Sequence, residues 1–222
     1  MANHNTHKGL YNAYDKKHKE REALDYYATP TEEVLNILEE LNIDFSNSII
    51  LEPSCGGGHM ALGIHQYLEK TAANDVTLIC TDIKNRESNI PISKNTGEEY
   101  DFLSDNYPFD KDYGIDYVIM NPPYSTIIPF TQRALDISNK GVVLLGRLQY
   151  LESEKRFLEI FQENPPSDIY VLVDRIACYK NGDFSKKADS AQAYCWCYWD
   201  KSKENKDTRF HWLRRYDKKE SH

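Results

Sequence analysis

The sequence predicts an α/β protein built on a mostly parallel sheet with helices on both faces. Three observations carry that prediction. Short apolar runs with strand character alternate with longer segments whose apolar residues fall at helical spacing, from residue 31 to residue 199. The two most distinctive turns, one rich in glycine and one in proline, each follow directly on a strand-like run. A length of 222 residues with 40% apolar and 28% charged side chains suits one domain with a full-sized core.

In chain order, Pro30 and Thr31 start a helix over 31–41, because Val34, Leu35, Leu38 and Leu41 recur on one face. Ser48–Glu52 is a short strand running into the turn Pro53–Gly58, and Met60–Tyr67 continues as a helix. Val76–Thr81 is a second strand that ends at Asp82. Residues 84–115 are polar and hold no long periodic element. Asp116–Met120, Gly141–Arg147, Ile169–Asp174 and Ala191–Trp199 read as further strands, with helices over Ile127–Ile137 and Glu152–Phe161. Residues 1–24 form a polar arm, 25–199 the folded domain, and 200–222 a basic tail.

No apolar run approaches the ~18 residues of a membrane span, and the first residues lack a signal-peptide core, so a cytoplasmic protein is expected. The five cysteines lack framework spacing, and Cys195-x-Cys197 lies in an alternating run, so reduced thiols are expected rather than a metal knuckle. The net charge of −8 is unevenly spread: residues 25–199 hold 14 basic and 27 acidic residues, net −13. Such a body repels phosphate. Its basic residues nevertheless cluster late, at Arg147, Lys155, Arg156, Arg175, Lys180, Lys186 and Lys187, which fits either a basic rim or an ordinary solvated surface.

Two motifs carry chemistry. The first is Leu51-Glu-Pro-Ser-Cys-Gly-Gly-Gly-His-Met60, a strand, a turn with three successive glycines and a helix. Such a turn lets backbone approach a ligand closely and aims helix N–H groups at it. Asp82 follows 24 residues after Gly58 and ends the next strand, where a carboxylate can accept from ribose hydroxyls. The second is Asn121-Pro-Pro-Tyr124, directly after Asp116–Met120. Two prolines remove two donors and fix φ, so the segment is stiff and leaves the sheet. The Asn121 side-chain oxygen and the Pro122 carbonyl can each accept one N–H of an exocyclic amine, while Pro123 stiffens the turn and Tyr124 offers a flat ring.

With these residues in hand, the chain resembles the S-adenosylmethionine-dependent amino-methyltransferases of DNA, most closely the small adenine-N6 enzymes common in phages and mobile elements. The resemblance runs through Asp25-Tyr-Tyr-Ala-Thr-Pro30, Glu52-Pro-Ser-Cys-Gly-Gly-Gly58, Thr81-Asp-Ile83, Tyr100-Asp-Phe102 and Asn121–Tyr124. It implies a Rossmann-like methyltransferase fold with a mostly parallel seven-stranded sheet and S-adenosyl-L-methionine as cofactor. It further implies that Tyr27, Thr29 and Pro30 border the methionine end of the cofactor, with Glu52, Pro53, Ser54, Gly56 and Gly58 beneath it. Asp82 and Ile83 would meet the ribose side, Asp101 would accept from the cofactor's adenine amine, and Phe102 would pack on that ring. A late aromatic of the family stacks on the extruded target base; Tyr179 is the candidate here, with a plain half-buried strand residue as the alternative.

The implied activity is methyl transfer to the N6 amine of adenine in DNA, with DNA or RNA as partner. The chain departs from the sequence-specific enzymes of this kind, because it holds no separate target-recognition region. Recognition is left to the arm, the 182–190 loop, the tail or a protein partner, and Lys180, Lys186, Lys187, Arg209, Arg214 and Arg215 are the candidate phosphate contacts. Asn-Pro-Pro-Tyr also serves glutamine-amide and guanine-N2 methylation, cytosine N4 is chemically similar to adenine N6, and a non-catalytic cofactor-binding subunit is a further alternative.

Overall fold

A computed structural model describes residues 27–84, 95–176, 178–180, 182, 192–203 and 207–214. In chain order it contains β1 (Tyr27–Ala28), α1 (Thr31–Leu41), β2 (Ile49–Glu52), α2 (His59–Thr71), β3 (Thr77–Asp82) and β4 (Asn95–Glu99). There follow β5 (Tyr117–Met120), α3 (Ile127–Ile137), β6 (Gly141–Arg147), the single turn α4 (Glu154–Arg156) and β7 (Asp168–Leu172). The described chain ends with β8 (Tyr179–Lys180), β9 (Tyr194–Asp200) and β10 (Arg209–Leu213).

Eight strands form one sheet in the order β10-β7-β9-β6-β5-β2-β3-β4. The pairs β5–β6, β5–β2, β2–β3, β3–β4 and β7–β10 are parallel, while β9 is antiparallel to both β6 and β7. All strands but β9 therefore point their carboxyl ends at one rim of the sheet. Seven of the eight give the expected mostly parallel sheet, and β10 extends it at one edge.

Strand alternation divides the core between the two faces. Ile50, Ile119, Val143 and Trp196 join the side chains of α1 and α2 on one side. Leu51, Val118, Val142 and Leu144 join α3 on the other. Cys195 and Cys197 share that second face and are fully buried, so their spacing is the two-residue pleat of a strand. Both helices on the first side are tightly apposed: a Cβ on Gly63 of α2 would stand 2.6 Å from Val34 Cβ and 2.9 Å from the Thr31 carbonyl oxygen. No helix among the described residues is long and apolar enough to cross a membrane.

Three segments differ from the sequence expectation. Within the stretch 84–115, Asn95-Thr-Gly-Glu-Glu99 has no apolar residue, yet it forms β4, which pairs in parallel with β3 at the sheet edge. The segment Glu152–Phe161 is not one helix. Its α4 turn passes at Phe157–Phe161 into a π-turn, with Gln162 N donating to the Phe157 carbonyl at 2.8 Å. The segment read as a basic tail contains β10, anchored through buried Asp168, which accepts from Arg209 Nε at 2.7 Å, Lys203 Nζ at 2.9 Å and contacts His211 Nε2 at 2.8 Å.

Candidate active site

The site gathers where β2, β3 and β5 reach the carboxyl rim, the place at which parallel sheets of this kind bind ligands. After Glu52 the chain turns sharply. Gly56 at φ 52° and Gly58 at φ 80° lie in the left-handed region, which glycine enters at no steric cost, and Gly58 caps the N-terminus of α2. The turn is stitched to β3 by Cys55 N donating to the Thr81 carbonyl at 3.0 Å. Asp82, at the end of β3, accepts from Gly56 N at 2.8 Å through one carboxylate oxygen and from Lys84 N at 2.9 Å through the other. Ile83 beside it is 39% exposed and offers an apolar surface at the rim.

Glu52 lies beneath this turn, 2% exposed, with one carboxylate oxygen lacking any partner. Burial, and secondarily the neighbouring Asp82 charge, push its carboxyl up to about 8; a backbone hydrogen bond from Ala61 opposes them. A buried polar oxygen without a partner is costly, which makes Glu52, beneath a glycine-lined turn, a candidate contact for a positively charged or N–H-bearing group.

Asn121 leaves β5 and is gripped from two directions. Its Nδ2 donates to the Thr29 hydroxyl at 3.0 Å and to the Tyr27 carbonyl at 3.3 Å. Its main-chain carbonyl accepts from the Ser54 hydroxyl at 3.3 Å, which ties the proline turn to the glycine turn. A carbonyl accepts only, so the Tyr27 contact fixes which end of the amide is nitrogen. Both amide hydrogens are thereby spent on the segment before α1, and Oδ1 is left as the acceptor. Thr29 is 3% exposed and Tyr27 44%, so one anchor is buried and the other lies at the surface. Pro30 precedes α1, where its carbonyl accepts from Glu33 N at 3.0 Å. Pro122 is buried and Pro123 half-buried, with the Pro123 carbonyl accepting from Thr126 N at 3.0 Å.

The Tyr124 ring is 38% exposed. Arg147, the last residue of β6, places its guanidinium carbon 4.8 Å from the ring centroid. Arg156 places its own at 5.6 Å and donates to the Tyr124 hydroxyl at 3.2 Å, while its Nη1 donates to the Gln149 and Glu152 carbonyls at 2.7 Å each. In the sequence both arginines stand out only as part of a late basic cluster. A charge ending an otherwise apolar strand on the ligand-binding rim was the available signal for Arg147.

Other sequence candidates fare differently. Asp101 accepts from Leu103 N at 3.0 Å and caps the turn after β4. Phe102 requires correction: its ring is 1% exposed and packs against Phe130 at 4.9 Å and Tyr107 at 5.2 Å, so it is a core side chain with no face left for a ligand's ring. Tyr179 belongs to β8, which pairs antiparallel with β1 so that Ala28 faces Tyr179. This ribbon sets the half-buried Tyr179 next to the strand whose Tyr27 carbonyl holds Asn121. Arg209 also requires correction: it stands at the amino end of β10, on the rim opposite the site, where its guanidinium pairs with Asp168 at the amino end of β7. Lys186, Lys187 and Arg215 and the side chain of Lys180 lie outside the described residues.

No family model and no curated protein matches the chain. Solved structures do. The methyltransferase subunit of a type I restriction-modification system from Streptococcus thermophilus aligns at TM-score 0.65 and 12% identity over 85% of this chain and 48% of that one. A protein from Listeria monocytogenes described as a class I S-adenosylmethionine-dependent methyltransferase aligns at TM-score 0.58 and 15% identity, over 93% of this chain and 69% of that one. A modification subunit of a type I restriction enzyme from Vibrio vulnificus aligns at 0.58 and 16%, over 96% and 53%. The chain spans about half the length of these type I subunits. What is shared at such identities is architecture: the chain has the Rossmann-like fold of class I S-adenosylmethionine-dependent methyltransferases.

Proposed function

We propose that the chain transfers a methyl group from S-adenosylmethionine to the exocyclic N6 amine of adenine in DNA. The orientation of Asn121 carries this reading: with Nδ2 held by Thr29 and Tyr27, Oδ1 is left as a fixed acceptor at the head of the stiff turn that also carries the Pro122 carbonyl. Two acceptors on one rigid segment match the two hydrogens of a planar amine. Accepting both draws the nitrogen lone pair out of the ring, and the hydrogen-bonded amine needs no strong base because its proton leaves after transfer. The exposed part of the Tyr124 ring supplies a stacking surface for the base.

The residues present fit the cofactor. The orphaned oxygen of Glu52 suits a cationic group, the Gly56–Gly58 turn leaves room for close approach, and Asp82 with Ile83 suits a ribose and the ring beyond it. When bound, the cofactor supplies an electrophilic methyl group on a sulfonium centre. Selection of a target sequence rests with residues outside this site or with a protein partner.

Asn121→Ala should keep cofactor affinity while lowering turnover about a hundredfold or more, the usual scale for losing one aligned polar group at a reacting centre. Tyr124→Ala should lower it through lost stacking of ~1–3 kcal/mol. Isothermal calorimetry with single-turnover methylation of an oligonucleotide separates binding from chemistry. Wild-type rates in both variants would remove the acceptor site from this turn.

A further inference from the structure

Two guanidinium groups converge on Tyr124 with no carboxylate among the described residues to neutralise either. Arg156 is held by neutral acceptors only, two carbonyls and the Tyr124 hydroxyl. Arg147 is held against the Tyr124 ring. On a body with 14 basic and 27 acidic residues, two fixed cations with no counter-charge among the described residues, beside one exposed ring, form an unusual local field. Directly after Arg156, Phe157 and Leu158 are 54% and 57% exposed, so an apolar surface continues from the cations.

Resting on the adenine reading above, we propose that Arg147 and Arg156 clamp the phosphodiester next to the target nucleotide in a single-stranded or locally opened polynucleotide, with Phe157 as the stacking platform for an adjacent base. Arginine presents a planar fork of donors that matches phosphate oxygens and stays charged at any working pH. Cation and exposed aromatic side by side are the pattern by which proteins grip a single strand without reading its sequence. Arg156, with most of its donors spent on the protein, acts chiefly by charge and by holding the Tyr124 hydroxyl; Arg147 is the direct phosphate ligand. The clamp also supplies a grip that the acidic body lacks, from the same rim as Asn121.

The test is fluorescence anisotropy with a labelled single-stranded DNA oligonucleotide carrying one adenine, titrated across salt for wild type, Arg147→Gln, Arg147→Lys and Phe157→Ala. Arg147→Gln should bind about tenfold more weakly, and its log-affinity against log-salt slope should fall by about 0.7, the value for one phosphate released from a single strand. Arg147→Lys should restore the slope and only part of the affinity. Phe157→Ala should weaken binding with the slope kept, since stacking releases no counterions. Cofactor calorimetry should give wild-type values for every variant, which also reports that each is folded. Superimposable salt curves for wild type and Arg147→Gln would overturn the clamp while leaving the methyltransferase reading in place. A wild-type protein that binds no oligonucleotide, yet binds the cofactor, would overturn the nucleic-acid reading and the clamp with it.

Discussion

At Glu52 the consequence of burial is a sign that can be measured. Its carboxyl is raised to about 8 from an ordinary 4.5, so the folded protein holds a proton that the unfolded chain has released. Stability from this group is therefore complete below about 4.5 and is lost as pH rises through about 8, by at most ~1.4 kcal/mol per pH unit within that window. A cationic cofactor beside the carboxylate favours the charged form, so cofactor affinity should rise with pH up to about 8. Glu52→Gln should flatten both dependences in urea titrations and calorimetry between pH 6 and 8.5; an unaltered affinity profile would place the cofactor's charge elsewhere. Glu52 and Asn121 both stood out in the sequence, because Glu52 ends a strand and Asn121 follows one, each ahead of a turn rich in glycine or proline. What fixes Asn121 was not: Thr29 lies 92 positions away, and no spacing rule joins them. Phe102 was misjudged because an aromatic in a recognised motif and an aromatic in a core look alike until burial is known.

Among the elements, α1 and α2 position the site from below. α1 carries Tyr27–Pro30 at its head, and α2 starts at Gly58, so their mutual packing sets the distance between the Asn121 anchors and the glycine turn. That packing hinges on Gly63, where an added methyl meets Val34 and the Thr31 backbone oxygen well inside contact distance. Gly63→Ala should cost about 1–3 kcal/mol by overpacking against backbone that cannot move aside. A chemical-denaturation midpoint equal to wild type would show that the two helices can part freely. The sequence pattern located α1, α3 and β6 closely, because each helix has one face against the core and β6 is a continuous apolar run buried on both faces. It missed β4, whose sequence has no apolar residue, and β10, whose large apolar residues Phe210 and Trp212 remain 54% and 73% exposed while Leu213 is the buried one, so its apolar alternation does not mark the core face. The π-turn at Phe157–Phe161 keeps helical composition, which is why composition alone read it as ordinary helix.

For the molecule as a whole, sequence and sheet topology converge on one rim. The glycine turn, Asp82, the proline turn and Arg147 lie at the carboxyl ends of β2, β3, β5 and β6, although they span residues 53 to 147. Alternating strands and helices made that convergence readable in advance, since parallel strands must bring successive carboxyl ends together. The acceptor was not readable from topology, because the fold hosts many substrates and only the Asn121–Tyr124 chemistry narrows them. The most direct measurement is label transfer from methyl-tritiated S-adenosylmethionine into DNA, RNA and protein offered separately, followed by nucleoside and amino-acid analysis. Label should appear as N6-methyladenine in DNA, at least as well in single strands as in duplex, since an unpaired base is already free of the stack, and its rate of incorporation should fall about a hundredfold or more with Asn121→Ala. Label in glutamine, in guanine or in cytosine, or a wild-type rate in Asn121→Ala, would contradict it.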